Sequence, residues 1–196
     1  MKSISKLATL GIAAGLATLL GACSTPPMMM KEAPSGPSVM VGGAAMYPSR
    51  DIVDNAVNSK DHTTLVAAVK AAGLVGTLKS AGPFTVFAPT NEAFALLPAG
   101  TVETLVKPEN KPTLSKILTY HVVAGRIDAS ALESQIAAGG GRATLKTVSG
   151  GTLIAYKYNG GIALQDEKGG TAAVTIANVY QSNGVIHVVN RVLLPG

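Results

Sequence analysis

Phe84-Thr85-Val86-Phe87-Ala88-Pro89-Thr90-Asn91-Glu92-Ala93-Phe94 is the stretch on which the fold turns. Phe84 to Ala88 is an apolar, β-branched run of strand length. Pro89 stops it, because proline has no N–H to give to a sheet ladder. Thr90 or Asn91 then offers a side-chain oxygen to the free N–H groups of a helix start. That helix carries Ala93, Phe94, Leu96 and Leu97 and ends at Pro98.

Upstream, the pattern predicts helices. Asp51 caps a short one holding Ile52, Val53, Ala56 and Val57. Thr63 or Thr64 opens another, with Leu65, Val66, Val69 and Ala72 on one stripe and Gly73 as its stop. Leu74, Val75 and Leu78 suggest a further turn, and residues 101–106 and 113–120 two more short helices. Downstream the period changes. Residues 144–148, 152–158, 162–165, 172–177 and 185–194 read as strands, separated by Gly-rich turns that include Asn159-Gly160. Asn-Gly between such runs is a strong hairpin signal. Helices followed by strands in blocks imply α+β with a largely antiparallel sheet. Ala137 to Arg142, with three consecutive glycines, reads as a loose loop before the strands.

The N-terminal residues are read as an export signal over 1–22: Lys2 and Lys6, then an uncharged apolar run from Leu7 to Ala22. The run is shorter than the roughly 20 apolar residues of a spanning helix. It ends in Leu20-Gly21-Ala22-Cys23, and Cys23 is the chain's single cysteine. This resembles the lipobox of bacterial lipoproteins, which implies acylation of the Cys23 thiol and attachment to a membrane. Ser24, rather than Asp, follows the cysteine, so the outer membrane is the expected location. Residues 23–48 are rich in Pro, Gly, Ser and Met and are expected to form a flexible tether, dispensable for folding. Residues 49–196 are left for one domain, about 150 residues and enough to bury roughly 70% of the unfolded chain's surface.

Loss of Lys2 and Lys6 lowers the formal charge from +5 to +3. With no basic run and no Trp, the signature of nucleic-acid binding is missing. Met28-Met29-Met30 lacks a His or Cys neighbour and is read as part of the tether, not as a metal site.

Three motifs carry a family resemblance. Residues 84–94, FTVFAPTNEAF, resemble the first signature of fasciclin (FAS1) domains; Ile117 to Val123, ILTYHVV, the tyrosine–histidine motif; and Asn183 to Val189, NGVIHVV, followed by Val192 to Pro195, the second signature. The resemblance they carry covers residues 51–195. The resemblance implies a wedge-shaped β-sandwich with a helical layer along one edge. It also implies a role in cell adhesion, matrix contact or extracellular ligand binding, without catalytic chemistry.

The residues themselves agree that an enzyme is the weaker class. His62, His121 and His187 lie far apart and lack the spacing of a zinc helix. His62 reads as an exposed helix-start residue, and His121 and His187 as core or edge histidines. Ser149 sits in a turn, not in a G-x-S-x-G elbow. No metal or cofactor is expected. Tyr120 and His121 are the sharpest candidates for partner contact, weighed against packing at the seam between helices and sheet, which is the reading adopted. The expected function is an envelope-anchored module contacting a protein or polysaccharide at the cell surface. The alternative is a binding protein for a small apolar ligand, a lipid or carotenoid, held between helices and sheet.

Overall fold

A computed structural model describes residues 37–196. The N-terminal part of this region is a hairpin, β1 (Val39–Val41) and β2 (Ala44–Met46). Gly42 and Gly43, at φ 58° and 74°, form its two-residue turn, a geometry that needs positive φ at both positions. Two helices follow, α1 (Ile52–Ala56) and α2 (Thr63–Ala72), with the 3₁₀ turn Lys60–His62 between them. Asp51 caps α1 by accepting from the Asp54 N–H at 2.8 Å. Gly73, at φ 73°, ends α2 in the left-handed region, where a Cβ is unfavourable. Next come α3 (Val75–Lys79) and β3 (Phe84–Pro89). Thr90 caps α4 (Asn91–Ala95) by accepting from the Ala93 N–H at 3.3 Å. The helical half closes with α5 (Thr101–Leu105) and α6 (Lys111–Tyr120).

The remaining elements are β4 (Val122–Ala124), α7 (Ala129–Ala138), β5 (Arg142–Lys146), β6 (Thr152–Tyr158), β7 (Gly161–Gln165), β8 (Thr171–Gln181) and β9 (Gly184–Val189). Seven strands form a sheet in the order β4-β3-β9-β8-β7-β6-β5. Only β3 and β9 run parallel; every other neighbouring pair is antiparallel. The two ends of this order meet. Val123 of β4 bridges Thr147 just beyond β5, and the Val148 N–H donates to the Val122 carbonyl at 2.8 Å. The sheet therefore curls back on itself. β8 makes this possible: its register shifts twice between Val174 and Val179, and Asn178 sits at φ 60°. Such bulges bend a strand and let it pass from one layer into the other.

The strands adjacent to the helices separate two apolar clusters by their period of two. Val86, Ala88, Ile186 and Val188 face the helices, with Leu65, Val69, Leu114 and Leu118. Phe87 and Val189 face the other way, with Leu132, Ile136, Leu153 and Leu164. Both faces of β9 are covered, so all six of its residues are buried.

Three expectations are corrected. The tether does not extend through residue 48: Val41 and Met46 are each 1% exposed and belong to the helix-side cluster. Residues 23–36, with Cys23, lie outside the described residues, as does the export signal. Residues 129–138, which carry no sharp periodicity, form α7, capped by Asp128 accepting from the Ala131 N–H at 2.8 Å. The loop before β5 shrinks to the three glycines 139–141, with Ala137 and Ala138 in α7 and Arg142 in β5. The last strand stops at Val189 rather than Leu194, and the Asn190 side chain instead accepts from the Ala173 N–H at 2.8 Å.

Candidate functional site

The tyrosine–histidine pair lies where α6 runs into β4. Tyr120 is fully buried. Its hydroxyl donates to the Thr152 carbonyl at 2.6 Å and accepts from the Glu167 N–H at 3.1 Å. Burial, partly opposed by the Glu167 N–H, pushes the phenol up to about 12. The ring lies against Gly151, where a Cβ would come within 2.6 Å of Cε2. Only glycine allows that approach without displacement.

His121 is 3% exposed. Its Nδ1–H donates to the Ile117 carbonyl at 2.9 Å, and its Nε2 accepts from the Leu193 N–H at 2.9 Å. Those two partners require the neutral ring with its proton on Nδ1. Burial drives its pKa down to about 4, against a smaller opposite effect from the Ile117 carbonyl and Asp166. Neither Tyr120 nor His121 presents a side-chain polar atom free for a partner.

His187 is likewise consumed. It is fully buried, its Nε2–H donates to the Ile127 carbonyl at 2.9 Å, and its ring stacks on Phe87 with centroids 5.6 Å apart. Burial lowers its pKa. Asp166 is also internal: its carboxylate accepts from the N–H groups of Lys168, Gly170 and Leu194 and ties the β7–β8 turn to the C-terminal segment. Among the described residues no three His, Cys, Asp or Glu side chains converge to hold a metal. No helix among them is long and apolar enough to cross a membrane.

His62 departs from expectation. It is 1% exposed, not an exposed helix start. Ser59 Oγ lies 2.9 Å from its Nδ1, while Nε2 has no hydrogen-bond partner. Burial lowers its pKa, with the nearby Ala88 carbonyl acting in the opposite sense. His62 lines a cavity of about 60 Å³ between α2, α3 and the β3–β4 edge. The lining is almost wholly apolar, with Leu65, Val66, Val69, Leu78, Val86 and Leu118 among its members. It runs from fully buried Ala88 and Met46 to the exposed side chains of Lys70, Thr77 and Val148, so it reaches the surface. Sequence reading missed this site because each wall residue is an ordinary core residue of its own element. The i, i+3, i+4, i+7 series His62, Leu65, Val66, Val69 was the available signal.

The family model of the fasciclin domain matches residues 60–195. The chain belongs to the fasciclin family. Among similar proteins, Protein sll1483 of Synechocystis sp. is 48% identical over 159 residues, covering 81% of each chain. The cell surface glycolipoprotein MPB83 of Mycobacterium bovis is 34% identical over 167 residues, 83% of this fasciclin chain and 66% of that protein. The FAS1 domain pair of the insect cell adhesion molecule Fasciclin I shares the fold, with a TM-score of 0.66 at 16% identity. That match covers 74% of this chain and about half, 51%, of the domain pair.

Proposed function

We propose that this fasciclin protein is a binding module of the bacterial envelope, exported and held at a membrane by lipid on Cys23, which contacts a protein or polysaccharide at the cell surface and carries no reaction. The observation that supports this most is the engagement of its candidate catalytic groups: His121, His187 and Asp166 are each spent on backbone partners inside the domain. What is left for recognition is surface shape rather than chemistry. The surface location given in the name of MPB83 supports an extracytoplasmic setting. The test compares cells displaying the full chain with deletion cells for retention on immobilised envelope polysaccharide and matrix protein, together with protease access to the domain on intact cells. Equal retention of both cell types on every surface would remove the adhesion reading.

A second reading has its own observation. The apolar cavity favours a small apolar ligand, a lipid in preference to a carotenoid. At about 60 Å³ it is well below the roughly 150 Å³ of an engineered apolar cavity that holds benzene. Either ligand therefore requires the walls of the cavity to part, and a slender chain requires less of it than a polyene ring. The test is calorimetry with decanoate, and a visible absorption band in the protein isolated from its own cells would point to a carotenoid instead.

A further inference from the structure

The sheet has an outer face. In β5, β6, β7 and the start of β8, Ala143, Leu145, Leu153, Ala155, Leu164 and Ala172 point into the core. The residues that alternate with them point outward. Tyr156 lies down on that face. Its hydroxyl reaches the Thr171 hydroxyl at 3.4 Å, although Thr171 is on β8 and β7 runs between them. The ring therefore crosses β7, and Ala163, its cross-strand neighbour there, has no exposed surface. Tyr158 stands beside it, 52% exposed, with ring centroids 6.4 Å apart and ring planes at 74°. Gly161, opposite Tyr158, puts no side chain in front of it. The two phenols make a floor and a wall, and the corner between them is open.

Charge on this face has one sign. Arg142, directly across from Tyr156, and Lys146, at the end of β5, are exposed and form no ion pair among the described residues. No acidic residue occupies an outward position on β5, β6, β7 or β8. Gln165 and Thr171, paired across β7 and β8, add uncharged hydrogen-bonding groups at the border of the floor.

We infer that this face binds an acidic polysaccharide, a chain of pyranose rings bearing carboxylates, with one sugar in the Tyr156–Tyr158 corner and a carboxylate at Arg142. This rests on the reading of the domain as an envelope-contact module and names the partner's class and its place. A pyranose presents a face of C–H bonds, which suits the electron-rich face of a phenol, and carries its hydroxyls around the edge. The guanidinium matches a carboxylate through two parallel N–H donors. A neutral glycan leaves the two cations without a counter-charge. An acidic peptide offers the floor no flat face of C–H bonds.

The test uses the full chain with hexagalacturonate, cellohexaose and hexaglutamate, followed by calorimetry and by carbon NMR of the tyrosine rings. Hexagalacturonate is expected to bind most tightly and to move the Tyr156 and Tyr158 resonances, while those of Tyr47, Tyr120 and Tyr180 stay in place. Tyr158→Ser should weaken it about fivefold, the scale of one stacking contact. Arg142→Gln should weaken it about threefold at low salt and leave cellohexaose unchanged. The NMR arm needs no substitution, so it decides the matter even where a variant does not fold. No binding of hexagalacturonate, equal binding of either other probe, or unmoved Tyr156 and Tyr158 resonances at saturation overturns the inference. Cells retained on matrix protein or a neutral polysaccharide then leave the envelope-contact reading standing. Equal retention of displaying and deletion cells on every surface, polygalacturonate included, removes both.

Discussion

The Leu193 backbone N–H donates to His121 Nε2 at 2.9 Å across a separation of 72 residues. One imidazole thereby joins the end of α6, through the Ile117 carbonyl, to the segment that follows the last strand. The bond holds only while Nε2 is unprotonated, because a proton there would face the Leu193 N–H. The fold is tied to a neutral ring.

Stability should therefore depend on pH in a defined window. The His121 pKa falls from 6.5, the ordinary value of a solvated histidine, to about 4 in the folded chain. Between those values the unfolded chain binds the proton and the folded chain does not. The contribution of His121 is thus fully present above about pH 6.5 and is lost as the pH falls toward 4, a change of about 3 kcal/mol. His62 and His187 are shifted in the same direction and act in the same sense. Urea unfolding at pH 7.5 and 4.5 measures this; equal midpoints would contradict it.

Tyr120 divides its contribution between ring and hydroxyl. Tyr120→Ala empties a fully buried site and should cost about 3–5 kcal/mol. Tyr120→Phe keeps the ring and should cost about 1–2 kcal/mol, because the Thr152 carbonyl and the Glu167 N–H lose their partner. Thermal unfolding of the two variants gives the ranking, and an equal loss in both would place the ring's contribution at zero.

Gly151→Ala should be most destabilising while Tyr120 is present, since the new Cβ would lie 2.6 Å and 2.9 Å from two ring carbons and 3.1 Å from Glu167 Oε1. In the Tyr120→Ala background the same change no longer meets the ring. The double-mutant cycle is expected to show a coupling of about 1 kcal/mol or more. Additivity would mean that the ring moves aside freely.

The N-terminal boundary of the domain is open to a direct test. A chain starting at Pro37 keeps the β1–β2 hairpin and should melt like the parent domain. One starting at Pro48 loses Val41 and Met46 from the helix-side cluster and should melt at least about 5 °C lower. Coincident melting curves would restore residue 48 as the boundary.

Lipid attachment is tested on the precursor. Cys23→Ala is expected to leave an unacylated, uncleaved chain, and mass spectrometry of the membrane-bound parent should find acyl groups on Cys23. An unmodified Cys23 in that fraction removes the anchor from the proposal.

The order of helices, the strand–turn–helix of residues 84–95 and the α+β class were legible in the sequence, because each is set by neighbours. Thr90 caps a helix three residues ahead, Gly73 ends one through its own φ, and strand alternation has a period of two. Family membership was legible for a related reason: the three motifs hold contiguous residues. The hairpin at Val39–Met46 was missed although its Gly-Gly turn was visible. Two three-residue strands carry little signal until Val41 and Met46 find the core. The helix at 129–138 was missed because its cap and two buried residues, Leu132 and Ile136, outweigh a weak pattern only once β5 and β6 lie beneath them. The fate of the histidines was decided by tertiary structure alone. The sequence set His121 and His187 apart from His62 as core or edge residues, but it named none of the remote partners that engage them. Leu193 and Ile127 occupy the rings of two, and the third is left with a free nitrogen against the cavity wall. A side chain's local surroundings set its secondary structure, but hydrogen-bond partners and burial depend on what the folded chain brings within about 3 Å, and short-range pattern carries no record of that.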